Sequence, residues 1–211
     1  MSGETISVIT ISRQYGSGGA AVAAEVAARL GFKLLDKDLI ASLARSARVD
    51  PAVAERLDER LDPWLHRLAR PLWRGGFEGV AAVSEADVVD ADRAAALTRR
   101  IVEEAAELGR CVIVGRGSAC ALAGRKGALH VFVYAPRPER VRNLRGRLGP
   151  GADVESAMDA TDRERAAYVK RHFGREWRDP ELYHLMINSA LGVDAAVAVL
   201  LGALDALEAR G

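Results

Sequence analysis

The chain has 211 residues, 49% of them apolar, and 30 Lys and Arg stand against 29 Asp and Glu, for a formal net charge of +1. That balance excludes diffuse attraction to a nucleic acid polymer or an anionic membrane and leaves only local basic sites open. Two cysteines, Cys111 and Cys120, exclude a disulfide framework and fit the cytoplasm. The first residues run straight into a strand pattern with no basic n-region and no cleavage site, so no secretory leader is expected among them, and no apolar stretch has the length of a membrane span.

"ISVITI" (6–11) is β-branched and nearly continuous, which predicts a strand buried on both faces of a parallel sheet. Val22, Val26 and Leu30 then follow at helical spacing, and Gly31 ends that helix. "FKLLD" (32–36) reads as a second short strand. Residues 37–48 and 51–73 are helix-like but interrupted by Pro51, Pro63 and Pro71, and "RGGFEG" (74–79) breaks the pattern. A helix is expected from Asp92 to Leu108, with Leu97, Ile101, Ala105 and Leu108 on one face and Gly109 as its stop.

"CVIVGRG" (111–117) and "LHVFVYA" (129–135) are the third and fourth strand candidates. Pro136 and Pro138 open an arginine-rich helix, "GPGAD" (149–153) breaks it, and a long charged helix covers 154–172. "YHLMINS" (183–189) is the fifth strand candidate, and Val193, Val197, Leu200, Leu201 and Leu204 share a face of the last helix. Strands alternating with helices predict an α/β fold around a parallel sheet. Ligands of such sheets bind beyond the carboxyl ends of the strands. The polar clusters "SRQYGSGG", "DKD", "GRG" and "APRPER" all follow strand candidates at that edge.

The first cluster is the outline of a phosphate loop. Glycines leading into a helix present several backbone N–H groups to one point, where the helix dipole adds positive charge. Gly16, Ser17, Gly18 and Gly19 are therefore candidates for the donor phosphates. The usual pattern Gly-x-x-x-x-Gly-Lys-Ser/Thr is met at only one of its four fixed positions. With Gly18 as its second glycine, Arg13 takes the first position, Gly19 the lysine position and Ala20 the hydroxyl position. Arg13 is the first candidate for part of the missing lysine's role, the plainer alternative being a cap or ion pair on the loop. Asp36 either binds Mg2+ or a substrate hydroxyl, or caps the helix after it.

His66, His130, His172 and His184 show no ligand spacing with the cysteines or with each other, so no metal site is expected from side chains. Cys111 reads as core and Cys120 as unactivated. Trp64, Trp73 and Trp177 read as packing anchors.

Five blocks in order, "ITISRQYGSGG", "LLDKDLI", "VIVGRGSA", "VFVYAPRPERVRNL" and "DRERAAYVKRHFGREWRDPELYHLMINS", resemble the cytidylate kinase-like family. They span most of the chain, and 45–100 is the weak stretch. The resemblance implies a P-loop NTPase-like three-layer fold with a five-stranded parallel sheet. It further implies one domain over 1–211, with a helical NMP-binding insertion at 45–100 and an arginine-bearing lid at about 138–172. The implied activity is ATP- and Mg2+-dependent phosphoryl transfer to a nucleoside monophosphate, CMP or dCMP. Members that open with "SRQYGSGG" lack the P-loop lysine as a group.

Residue by residue, the resemblance gives Arg116, Asp162 and Arg165 to the acceptor and Arg140 to the lid, with Asp36 ending strand two. Arg13, Arg140 and Arg165 are then the catalytic cations. The Asp that follows the Gly-Arg pair in the family is Gly117 here, and an arginine expected six residues after Asp36 is Ser42, for which Arg45 or Lys37 could substitute. These departures leave two alternatives: a nucleotide-binding sensor with little turnover, or a kinase of another small phosphorylated metabolite. Nucleotides are the expected partners, and a homo-oligomer is left open.

Overall fold

A computed structural model describes residues 5–40, 65, 67–68, 86–149 and 151–209, with the backbone alone over 86–91. Its centre is β1 (Val8–Arg13), in which Val8, Ile9 and Ile11 have no exposed surface. The β-branched run fits a strand covered on both faces, where each fully buried Val or Ile contributes about 1.5–3 kcal/mol. β1 lies between β3 (Cys111–Val114) and β4 (Ala128–Tyr134), with β2 (Lys33–Leu35) beyond β3 and β5 (Leu185–Asn188) beyond β4. Every pairing is parallel, giving the order β2-β3-β1-β4-β5. The five strand candidates thus form one parallel sheet, as expected.

Side chains alternate between two cores because successive Cβ atoms point to opposite faces. Val8, Leu35, Cys111, Ile113 and Ala128 pack with Leu97, Ile101 and Ala105 of α2 (Ala86–Leu108). Ile9, Ile11, Val112, Val114, Val131 and Val133 pack on the other face. That face is covered by Val22 and Val26 of α1 (Gly19–Leu30) and by Val197, Leu200 and Leu204 of α6 (Val193–Glu208). The result is a three-layer α/β arrangement.

Several elements differ in their bounds from the sequence reading, and one is new. The described part of α2, Ala86–Leu108, already includes residues ahead of the expected Asp92, and 86–91 contain neither Gly nor Pro to interrupt it. A short helix, α3 (Ser118–Ala121), follows "GRG" unannounced. β5 is shorter than 183–189 because 3-10 turns flank it, with Tyr183 N–H bonded to Pro180 O and the Asn188 side chain accepting from Ala190 N–H. Beyond β4, α4 (Arg137–Leu148) and α5 (Val154–Phe173) form a helical pair, and Asp153 caps α5 by accepting from Ser156 N–H at 3.0 Å. Most of the insertion expected at 45–100, including Arg45, Trp64, His66 and Trp73, lies outside the described residues, as does Ser42. Among the described residues no helix is long and apolar enough to cross a membrane.

One buried histidine is expected to make the fold acid-sensitive. Thr10 Oγ1 and His130 Nδ1 lie 2.8 Å apart, and the His184 ring stacks on His130 at 5.0 Å. Burial first, and the neighbouring His184 second, push the His130 pKa from the ordinary 6.5 down to about 4. The unfolded chain takes up this proton near the ordinary value and the folded chain only near the lowered one. This group's contribution is therefore complete above pH ~6.5 and lost as pH falls toward ~4, by up to about 3 kcal/mol. Acid unfolding followed by circular dichroism should show this slope, and His130→Asn should flatten it. An unchanged slope in the variant would assign the acid sensitivity to other groups.

Candidate active site

β1 ends at Arg13, and the chain turns through Gln14–Gly18 into α1. Ser17 Oγ donates to Gln14 O at 2.9 Å and reaches Val133 O at 3.2 Å, tying the turn to β4. Gln14 N–H donates to Val133 O, and Gln14 Oε1 accepts from Ala135 N–H. Gly16 and Gly18 take φ of 82° and 76°, the left-handed region glycine enters without a Cβ penalty. The amides of Gly16, Gly18, Gly19 and Ala20 have no acceptor among the described residues. Four amides without an acceptor, at and just before the start of a 12-residue helix, are the kind of donors an anion cradle uses.

The loop is gripped from behind by α4 and α5. Asp162 accepts the Tyr15 N–H at 2.8 Å, and Arg140 Nε donates to Tyr15 O at 2.7 Å. Arg140 Nη2 and Asp162 Oδ2 complete the grip at 2.6 Å, both side chains 7% exposed. Asn143 donates to Gly16 O at 2.9 Å, and Arg165 donates to Arg13 O at 2.7 Å. The Tyr15 ring joins Val141, Leu144, Val154 and Met158 in a small apolar core. One peptide unit after another is thereby held from the side facing the helices.

A cavity of about 280 Å³ opens beside the loop. Arg13, Lys37, Arg116 and Arg165 line it, with Glu164 as the one lining carboxylate among the described residues. Ser12, Tyr168 and Trp177 also line it. Burial, then the charges of Arg165 and Arg116, lower the Arg13 pKa to about 10, partly offset by Asp36. The Arg165 pKa is lowered as well, chiefly by burial. Both remain cations at neutral pH, and their crowding favours an anion between them.

The wall at β3 is a left-handed turn. Gly115, Arg116 and Gly117 have φ of 72°, 60° and 66°, and Ser118 N–H bonds back to Gly115 O at 3.1 Å. For arginine this conformation costs about 1–2 kcal/mol, and it aims the side chain along the cavity. Arg116 Nη2 reaches Lys37 O at 3.5 Å, while its buried Nε has no partner among the described residues. At Gly117, a Cβ would meet the Phe173 ring at 2.3 Å. An aromatic ring thus occupies the space where the resemblance places an aspartate.

The structure brings together Arg13, Arg116 and Arg165 on the cavity and Gly16, Ser17, Gly18 and Gly19 in the loop. It puts Arg140 and Asp162 elsewhere: neither lines the cavity, and Arg140 Nε and Nη2 and both Asp162 carboxylate oxygens make the grip on Tyr15. Asp36 caps the helical turn after it, accepting from Asp38 and Leu39 N–H at 3.1 and 2.9 Å. Arg13 also departs from its expected place over the loop, since its Nη1 lies where a Gly115 Cβ would stand. Sequence reasoning missed Tyr15 and Asn143. The signal available was Tyr15 itself, a large aromatic inside a glycine loop, with Arg140, Asn143 and Leu144 at helical spacing to receive it.

Burial pushes the Cys111 thiol up to about 12, and it raises Cys120 too.

The sequence profile of the cytidylate kinase-like family matches residues 8–191, from the first residue of β1 to past β5. The chain belongs to the cytidylate kinase-like family. An uncharacterized protein from Eubacterium ventriosum ATCC 27560 has a similar structure, with TM-score 0.65 and 20% identity over 94% of this chain and 98% of that one. Shikimate kinase from Acinetobacter baumannii, solved with shikimate, aligns with TM-score 0.50 and 16% identity over 96% of this chain and 95% of that one. At such identities these likenesses speak to the fold, which is that of the P-loop kinases. No curated protein matches the chain. Membership in a kinase-like family supports nucleotide-dependent phosphoryl transfer as the class of chemistry.

Proposed function

We propose that this family member transfers the terminal phosphoryl group of ATP, with Mg2+, to a nucleoside monophosphate, CMP or dCMP. The observation that carries the reading is the juxtaposition of an anion cradle at Gly16–Gly19 with a cavity lined by Arg13, Lys37, Arg116 and Arg165. Phosphoryl transfer is mostly positioning and charge stabilisation, which backbone amides and arginines can both supply. The loop amides fit donor phosphates, and the cavity fits the anionic end of an acceptor. The residues fit a dedicated metal site less well. Ala20 brings no hydroxyl, the Ser17 hydroxyl is already engaged, and no cluster of three or more His, Cys, Asp and Glu exists among the described residues. Mg2+ would therefore be held mainly by nucleotide phosphates and water. In this reading 45–100 is the acceptor-selecting insertion, and α4 with α5 are the lid region, here serving to grip the loop.

A second reading, a kinase of another small phosphorylated metabolite, is favoured by the Phe173 ring standing against Gly117. One assay separates the readings. The full chain is incubated with ATP, Mg2+ and a panel of monophosphates and phosphorylated metabolites, and ADP and new phosphorylated product are followed. CDP or dCDP formation is expected. ATP binding without transfer to any acceptor would sink the kinase reading in favour of a nucleotide-binding sensor.

A further inference from the structure

Two positions that face each other can carry only one side chain between them. A Cβ built on Gly19 would stand 2.5 Å from the Arg13 Cβ, 3.1 Å from its Cγ and 3.2 Å from the Val133 Cβ. No lysine fits at position 19 while Arg13 is present, and the cation has moved from the first turn of α1 to the end of β1. The move changes where the charge falls. The Arg13 stem crosses Gly19, and its Nη1 comes to rest against Gly115, within the same cavity wall as Arg116, Lys37 and Arg165.

On the proposed kinase reading, we infer that Arg13 binds the acceptor's phosphate and that the donor's phosphates are held at this loop by backbone amides without a side-chain cation. Three guanidiniums, from β1, from the β3 turn and from α5, then surround one anion from different directions. The lowered pKa of Arg13 is consistent with this crowding of cations. Glycine at 19 is required by the Cβ of residue 13, and glycine at 115 suits its φ of 72° while leaving room for the Arg13 Nη1. The acceptor is accordingly a small molecule bearing a phosphate dianion, which suits the fork of a guanidinium.

The test uses Arg13→Met, which keeps the stem over Gly19 and removes the fork, with isothermal titration of the full chain by CMP and, separately, by ATP. CMP affinity should fall ~10- to 100-fold, the range for losing hydrogen bonds to a charged group. ATP affinity should stay within about twofold, as for groups that do not touch. Weakened ATP binding with CMP unaffected overturns this inference alone, and so does no change in either. If the unaltered chain binds ATP but no monophosphate in the panel, both this inference and the monophosphate acceptor fail. The steric half has its own readout. Gly19→Ala should lower the melting temperature, and R13G/G19A should recover it, whereas a tolerated Gly19→Ala would refute the mutual exclusion of the two side chains.

Discussion

Asp162→Ala is expected to cost about 3–5 kcal/mol of stability and to abolish ATP binding, because it removes the anion from a buried grip. Its Oδ2 accepts from Arg140 at 2.6 Å and from Arg178 at 3.3 Å, and its Oδ1 accepts the Tyr15 N–H at 2.8 Å. Without it the Arg140 guanidinium is left buried without its direct ion-pair partner, and the Tyr15 amide loses its acceptor. The Coulomb attraction and the desolvation of such a pair nearly cancel, so the loss comes from stranding one partner. For that reason R140M/D162L should regain much of the stability while ATP affinity stays low, since Tyr15 is no longer held. Urea denaturation and ATP titration read the two effects separately. A residue that only held the acceptor would behave differently: Asp162→Ala would leave stability and ATP binding intact and weaken CMP alone. A stability loss under ~1 kcal/mol would mean that the pair is effectively solvated.

Gly16→Ala should lose roughly 2–5 kcal/mol, summing the left-handed conformation and overpacking. At φ 82° the added Cβ would meet the backbone oxygen of Arg140 at 2.8 Å and the Leu144 Cγ at 2.9 Å. A backbone oxygen cannot swing aside, and Leu144 is fully buried, so α4 must move away from the loop. That displacement stretches the Arg140 bond to Tyr15 O and the Asn143 bond to Gly16 O. Lower melting temperature and weaker ATP binding are expected together. Gly16→Ala with an unchanged melting temperature would show that α4 does not pack on the loop as described.

The difference between these variants and those at Arg13 follows from which side of the loop each residue occupies. Asp162 and Arg140 hold the loop from the α4 and α5 side, and Gly16 is where the loop packs on α4, so changes at all three act on the loop through its shape. Arg13 contributes a charge to the cavity, so its loss acts on one ligand.

Much of the fold was legible in the amino-acid sequence because its signals are local. "ISVITI", "CVIVGRG" and "LHVFVYA" read as strands by composition, and Val22, Val26 and Leu30 read as a helix by spacing, since burial on both faces and 3.6-residue periodicity leave direct marks. The glycine loop was legible for the same reason: positive φ and close backbone approach call for glycine. Arg116 and Arg165 were found through ordered motif blocks, and both line the cavity.

What only the tertiary structure decided is where each charged side chain ends. Asp162 and Arg165 share a helix face at i, i+3, yet one turns its carboxylate to Tyr15 and the other lines the cavity, its guanidinium donating to Arg13 O. The Gly19 position read as a missing lysine, but the structure shows that the Arg13 stem already fills its space. Gly117 read as a missing aspartate, and there the Phe173 ring stands instead. Backbone path follows from nearest neighbours along the chain. The reach of a long side chain depends on what is packed 100 or more residues away, as in the contacts of Arg140 with Tyr15 and Arg165 with Arg13, and no local pattern encodes that distance.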